Sequence, residues 1–485
     1  MSVAGRLSAV DGSFLRVESP EAHMHVAWSA TFRVGEQAPT LQRLRRHIAG
    51  RLVRVPRFRC RLAWAPPGMG EPFWVDDPAF DVDSHVLPLG TLGTELDDRR
   101  FELLCDSVLS APLDRSRPLW EIRLAPRMTG GRCGLVAKIH HALVDGRSAV
   151  EVAQLLFDVD PNGVAELPTP WEAPPAPGAT RLAARAVAMG AGESLRAARG
   201  AARMAGEPRA SVSRIAGTLR RAALAAGEDL LRPAPASALN AKIGPRRTLV
   251  RHSVSLDDVR AVKRSAGATV NDVCLALAAG ALRELALARG EEPRPLKAMI
   301  PVDVRLDPEA QALGNRISFA FVELPLELTR GRARLARIRY STAAFKREGR
   351  PEGLAAALGA VGMLPSPLRG LTARAVASPR LFNLTISNVP GPNFPLYMLG
   401  AELIEAHPVV PIAQRHALSM GIFGYLGHLH FGFYADPHAF PEARELPQAF
   451  DAALRELLLP PGVQRRRGRS RGRSLSSPSP AAVAG

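Results

Sequence analysis

The feature that most constrains the fold is a double alternation of strand-like and helix-like patterns. One block runs from about 7 to 165 and a second from about 245 to 460. In the first, His25–Val34 and Gly134–Ile139 read as strands, with helical patterns around 40–53 and 96–110. In the second, Thr269–Arg289 reads as a helix. Thr269 is placed to cap it, Asp272 stands three residues on, and Gly290 lies just past its end. Strands are expected at 316–325, 382–388, 418–426 and 428–434. Helices and strands alternate in both blocks, so the class is α/β or α+β. A chain of 485 residues is too long for one ordinary core and suits two domains of similar size.

Prolines cluster from Pro168 to Pro177, and an Ala/Arg-rich stretch, 179–232, follows with small apolar residues and good helix propensity. The expected partition is 1–167 for the first domain, 168–244 for a crossover linker, 245–463 for the second domain and 464–485 for a disordered tail. The net charge of +17 is concentrated in two of these segments: the tail carries six Arg and no acid, and 181–232 carries ten Arg against four acids. No aromatic residues interleave with the basic runs, which speaks against a nucleic-acid partner. Solvated charge, or attraction to an anionic membrane or to CoA phosphates, accounts for them. No run reaches 18 consecutive apolar residues, so no transmembrane helix is expected, and the N-terminus lacks a secretory pattern. Cys60, Cys105, Cys133 and Cys274 are far apart and read as reduced thiols of a cytoplasmic protein, with no metal site or disulfide framework expected.

The chemistry-bearing run is His140-His141-Ala142-Leu143-Val144-Asp145-Gly146, where the strand ends and a helix begins near Gly146. Period-2 alternation sets His141 with Leu135, Ala137 and Ile139, so His141 rather than His140 is expected to face the interior. An imidazole there suits proton transfer near neutral pH. Taken alone, the run could equally be a turn with a helix cap. Adjacent histidines on a strand point apart, which disfavours zinc.

His141-Ala142-Leu143-Val144-Asp145-Gly146 resembles the H-x-x-x-D-G signature of the chloramphenicol acetyltransferase-like superfamily. With His140 it takes the HHxxxDG form of condensation domains and of bacterial wax ester synthase/diacylglycerol acyltransferases. The resemblance to the latter family spans about 7–460. It is carried by Leu7-Ser8-Ala9-Val10-Asp11-Gly12-Ser13-Phe14, Ala22-His23-Met24-His25-Val26, Pro56-Arg57-Phe58-Arg59 and Phe73-Trp74-Val75-Asp76-Asp77 with Phe80-Asp81. Arg117-Pro118-Leu119-Trp120-Glu121, Asn271-Asp272, Pro301-Val302-Asp303-Val304-Arg305 with Gly314-Asn315, and Ser387-Asn388-Val389-Pro390-Gly391-Pro392 complete the set in order.

The resemblance implies an α/β fold of two chloramphenicol acetyltransferase-like domains with an active-site tunnel at their interface. It implies an acyl-CoA-dependent O-acyltransferase that esterifies diacylglycerol, long-chain alcohols or both. His141 would take the alcohol proton, with direct transfer and no acyl-enzyme. His140 orients the pocket or packs, Asp145 caps the helix or pairs with an arginine, and Gly146 shapes the loop. Arg305 is the structural partner candidate. Asn271 either serves a developing oxyanion or the acceptor site from the first turn of its helix, or supports the domain interface. No cofactor or metal is implied beyond acyl-CoA as substrate, and peripheral attachment to a membrane or lipid-droplet surface is expected. The alternatives are a carrier-protein-dependent condensation or polyketide-type acyltransferase, and a non-catalytic lipid-binding protein of the same fold.

Overall fold

A computed structural model of the chain describes residues 5–36, 38–66, 70–143, 155–163, 170–206, 232–303, 317–347 and 366–460. The first half contains α1 (Ala9–Val17), β1 (His25–Arg33), α2 (Leu41–Arg51), β2 (Cys60–Ala63), β3 (Phe73–Asp76), β4 (Val86–Pro88), α3 (Asp98–Ser110), β5 (Trp120–Met128) and β6 (Arg132–His140). After α4 (Ala179–Gly206) come β7 (Thr248–Ser255), α5 (Leu256–Ala266), α6 (Val270–Ala288), β8 (Leu296–Asp303), β9 (Ile317–Leu324), α7 (Gly331–Arg347) and α8 (Ser366–Val376). The chain ends with β10 (Leu384–Pro390), β11 (Tyr397–Met398), β12 (Ala401–Val409), β13 (Leu418–Tyr425), β14 (His428–Ala435) and α9 (Leu446–Leu458).

Two six-stranded sheets organise these elements. The first has the order β11-β12-β1-β6-β5-β4, the second β7-β14-β13-β10-β8-β9. The first sheet is not made from the first half alone. β12 lies antiparallel to β1, with Ala27 opposite Val409 and Arg33 opposite Glu402. The chain therefore leaves the second sheet after β10, adds β11 and β12 to the first, and returns as β13. Local sequence pattern does not name a strand's partner, so this exchange is not readable from alternation.

Local physics explains the elements closest to the site. β5 and β6 form a hairpin whose turn carries Gly130 at φ 75 and Gly131 at φ 65, a left-handed pair that residues with a Cβ resist. β6 is buried along nearly its whole length, because Leu135, Ala137 and Ile139 pack into one core while Val136 packs into the other. α6 has the reciprocal cap expected from its sequence: Asp272 N donates to Thr269 Oγ1 at 3.1 Å and Thr269 N donates to Asp272 Oδ2 at 2.8 Å. It is buried from Val273 to Leu282 and again at Leu285 and Ala286, with Arg283 and Glu284 partly exposed, as befits a largely core helix. Among the described residues no single helix is long and apolar enough to cross a membrane.

Polar bonds join the halves. Asp106 on α3 accepts from Leu249 N and Thr248 Oγ1, each at 2.8 Å, and Ser110 Oγ accepts from Arg247 N at 2.9 Å. Tyr434 OH on β14 donates to Leu109 O at 3.1 Å. Asn388-Val389-Pro390 forms the end of β10, parallel to β13. Gly391 follows because a Cβ there would lie 2.2 Å from Gly424 O. The start of α4 is seated: Leu182 and Ala186 are buried against Phe73 and Val75 of β3.

Candidate active site

The site is assembled where β6 ends. His140 closes the strand and pairs with His25 of β1. The chain then turns, and His141 is held by its own backbone N–H, which donates to Met24 O at 2.8 Å. The imidazole of His141 stacks on Phe14 of α1, with ring centroids 3.8 Å apart and planes at 13°. Such a contact contributes about 0.5–1.5 kcal/mol beyond burial and fixes the ring plane. Among the described residues, its Nδ1 has no hydrogen-bond partner in another residue. Burial, reinforced by His140, lowers the His141 pKa to about 4, so the ring is a neutral base at physiological pH.

The expectation that His141 is the more interior of the two is corrected. His140 is 1% exposed, whereas His141 keeps partial access. The strand phase stops at His140, and the turn carries His141 out of the alternation that would have sunk it beside Ile139.

His140 has a different environment. Its Nδ1 accepts from Ala142 N at 3.0 Å, which leaves the proton on Nε2. That nitrogen lies 3.4 Å from Glu18 Oε1. Glu18, just past α1, also accepts from Met24 N at 3.0 Å and from Arg115 Nε at 2.9 Å. Burial pushes the Glu18 carboxyl up, but His140, the Met24 N–H and Arg115 together outweigh it and hold the group down at about 2. Glu18 thus stays ionised and ties α1, the segment before β1 and the end of β6 to one carboxylate. Beneath it, Lys138 is 1% exposed and donates to Val108 O and Ala111 O, each at 3.0 Å. His25 Nε2 lies 3.4 Å from Tyr434 OH, so this polar cluster reaches the second sheet.

Glu18 and Phe14 are the residues that inspection of the histidine run misses. Phe14 ends the first and Glu18 lies between two of the segments that carry the resemblance, Leu7–Phe14 and Ala22–Val26, and Met24 uses both of its backbone groups to bind the site. Glu18→Gln is expected to keep the shape but loosen His140, lowering kcat roughly 10- to 100-fold with little change in KM. Equal losses in Glu18→Gln and in a remote surface variant would show that the carboxylate does not position the site.

Trp120 of the Pro118-Leu119-Trp120 run is a packing residue. It is buried, stacks on His85 at 4.7 Å, and its Nε1 donates to Phe58 O at 2.7 Å. Leu119 O also accepts from His140 N at 2.9 Å. Asn271 is half-buried in the first turn of α6. Asp145, Gly146 and Arg305 lie outside the described residues, as do Gly314-Asn315, all but the last residues of the helix expected from Gly146, and the tail 464–485.

Residues 7–274 match the wax ester synthase/diacylglycerol acyltransferase catalytic domain, and residues 313–458 match the C-terminal domain of the same family. This chain belongs to that family. It is an acyltransferase, and its two-sheet architecture is the chloramphenicol acetyltransferase-like α/β fold. A probable diacylglycerol O-acyltransferase of Mycobacterium tuberculosis is 34% identical over 457 residues, covering 92% of this chain and 97% of its own. A wax ester synthase/diacylglycerol acyltransferase from Marinobacter aquaeolei VT8 superimposes with a TM-score of 0.65 at 26% identity, over 93% of this chain and 98% of that one. The first condensation domain of the calcium-dependent antibiotic synthetase shares the fold, with a TM-score of 0.58 at 15% identity over 94% of this chain and 96% of that one.

Buried neutral histidines carry a pH consequence. Burial lowers His141 and His416 to about 4 and pulls His25 well below its usual range. Between pH 6.5 and 4 the unfolded chain therefore binds more protons than the folded one, and stability is lost as pH falls through that window. His416 alone contributes roughly 2 kcal/mol of this loss at pH 5. The thermal midpoint should drop between pH 7.5 and pH 5, read by circular dichroism. An unchanged midpoint would show that these rings are not buried neutral.

Proposed function

We propose that this acyltransferase moves an acyl group from acyl-CoA to the hydroxyl of diacylglycerol, of a long-chain alcohol, or of both. The observation that carries the reading is the setting of His141: an imidazole whose Nδ1 has no hydrogen-bond partner in another described residue, its plane set by Phe14 and its backbone pinned to Met24. The alcohol O–H gives its proton to His141 as the oxygen attacks the thioester carbonyl. The new C–O bond forms, the C–S bond breaks, and the proton passes from the imidazolium to the departing CoA thiolate. His140, held by Glu18, positions the turn. By the resemblance, Asp145 and Gly146 are assigned to the loop beyond it, with Arg305 as the candidate partner, and Asn271 is assigned to the oxyanion or the acceptor. The two substrates enter a tunnel between the domains from opposite mouths.

Direct transfer, rather than an acyl-cysteine, is supported by the thiols. Burial pushes Cys60, Cys105, Cys133 and Cys274 each up to about 12, which leaves no thiolate nucleophile at neutral pH. On this reading the protein works in the cytoplasm at a membrane or lipid-droplet surface.

The test is a donor and acceptor screen with purified protein. Labelled palmitoyl-CoA should label triacylglycerol or wax ester when diacylglycerol or hexadecanol is supplied. Transfer only from acyl-carrier protein would replace this reading with a condensation-type enzyme. No ester with any acceptor would replace it with a lipid-binding protein.

A further inference from the structure

A second cluster of chemically competent side chains lies away from the histidine run, where β12 crosses from one sheet to face the other. Glu405 and His407 stand on β12, two residues apart and therefore on one face of the strand. His430 stands on β14 of the second sheet. One ligand atom from each of the three lies within 4.8 Å of the others, and His407 Nε2 is 3.3 Å from Glu405 Oε2. The two imidazoles meet edge to face, with centroids 5.4 Å apart.

Each of the three groups is oriented by a bond from behind. His407 Nδ1 is 2.9 Å from Phe431 O, so Nδ1 carries the proton and Nε2 presents a lone pair. His430 Nδ1 shares a 2.8 Å hydrogen bond with Ser253 Oγ, its cross-strand neighbour on β7. Glu405 Oε1 accepts from Thr31 Oγ1 at 3.2 Å, its cross-strand neighbour on β1. Among the described residues, the two Nε2 atoms are buried without a hydrogen-bond partner. His407 and His430 are themselves almost wholly buried, at 1% and 4% exposure, whereas Glu405 reaches solvent and gives an ion a route in. A buried ring nitrogen without a hydrogen bond is unusual in a folded chain, and here, among the described residues, two of them share one small space with a carboxylate.

We infer that Glu405, His407 and His430 form a site for one divalent transition-metal ion, with zinc as the ion of best-matched chemistry, that ties the two sheets together across β12 and β14. Two imidazoles and one carboxylate suit zinc, cobalt or ferrous iron rather than calcium or magnesium, which prefer all-oxygen shells. A carbonyl or hydroxyl behind each histidine, and a hydroxyl behind the carboxylate, is the outer-shell arrangement that fixes ligand orientation at metal centres. The site shares no residue with the machinery assigned to His141, so the ion braces the seam between the sheets and takes no part in acyl transfer.

The test uses the full-length protein, stripped with a chelator and titrated with cobalt(II). One ion per chain should bind with visible d–d absorption, and zinc should displace it. His407→Gln and His430→Gln should each remove that binding, with circular dichroism unchanged. His428→Gln, an exposed histidine on the same strand as His430, should leave it intact. Zinc should raise the thermal midpoint of the unsubstituted protein by roughly 3 °C or more and leave that of His430→Gln where it was. If the variants do not fold, X-ray absorption on the unsubstituted cobalt protein decides. A first shell with two imidazole nitrogens supports the site, and a shell without them overturns it. Absence of stoichiometric binding, or an identical isotherm in His430→Gln, also overturns it.

Discussion

Replacing His141 by alanine is expected to lower kcat/KM for acyl transfer by roughly 10²- to 10⁴-fold while the fold stays intact. The ring does little for packing that alanine would destroy. It rests on Phe14 at one face, and its tether to Met24 runs through the backbone, which the substitution keeps. What disappears is the base. The loss should fall on kcat more than on KM, because the proton moves in the transition state and the imidazole contributes little to ground-state binding. His140→Ala should behave differently. It empties a fully buried position and leaves Glu18 with one fewer partner, so its activity loss should come with a lower thermal midpoint. Near-normal turnover in His141→Ala, with circular dichroism unchanged, would end the assignment.

The second large effect concerns stability, and it comes from two glycines. Gly421 on β13 and Gly432 on β14 are cross-strand partners, and both face Pro408 of β12. A Cβ added at Gly432 would lie 2.0 Å from Pro408 O, and one at Gly421 would lie 2.7 Å from the same atom. The neighbour in each case is backbone, which has little freedom to give. Pro408 is itself paired with Trp28 of β1, so the first sheet cannot retreat without breaking its own register. Gly432→Ala should therefore destabilise the chain by about 1–3 kcal/mol, and Gly432→Val by more. Denaturant midpoints measured by tryptophan fluorescence would show it. Midpoints equal to those of the unsubstituted protein would mean that the sheets are not locked at Pro408. The same close approach brings His407 near His430, so Gly432→Ala should also weaken cobalt binding.

Some of this was legible in the sequence for definite physical reasons. β1 and β6 stand within two residues of their expected ends because alternation over nine residues has one consistent reading. α6 starts at Val270 because Thr269 and Asp272 form a reciprocal cap that needs no tertiary information. The strands around Ile317, Leu384, Leu418 and His428 were recoverable in the same way. What could not be read was partnership. Nothing in Ala401–Val409 announces that this strand belongs beside β1 instead of beside its neighbours in sequence. Glu18 gave no signal of its own, since a single acid after a short helix is an ordinary solvent-facing residue until folding sets His140, Met24 and Arg115 around it. Glu405, His407 and His430 likewise belong to two strands on two sheets. The relative depth of His140 and His141 was misjudged for a local reason: alternation holds only while the strand continues, and it stops one residue before the base.

The most direct measurement of the central claim is a single turnover with radiolabelled palmitoyl-CoA and excess protein, first without acceptor and then with diacylglycerol added. Without acceptor the protein should carry no covalent label and the donor should remain intact. On addition of diacylglycerol the label should appear in triacylglycerol as one free CoA thiol is released per ester formed, and His141→Ala should slow both roughly 10²- to 10⁴-fold. Label covalently bound to the protein before the acceptor is added, or ester formation at an undiminished rate in His141→Ala, would contradict direct transfer from acyl-CoA with His141 as the base.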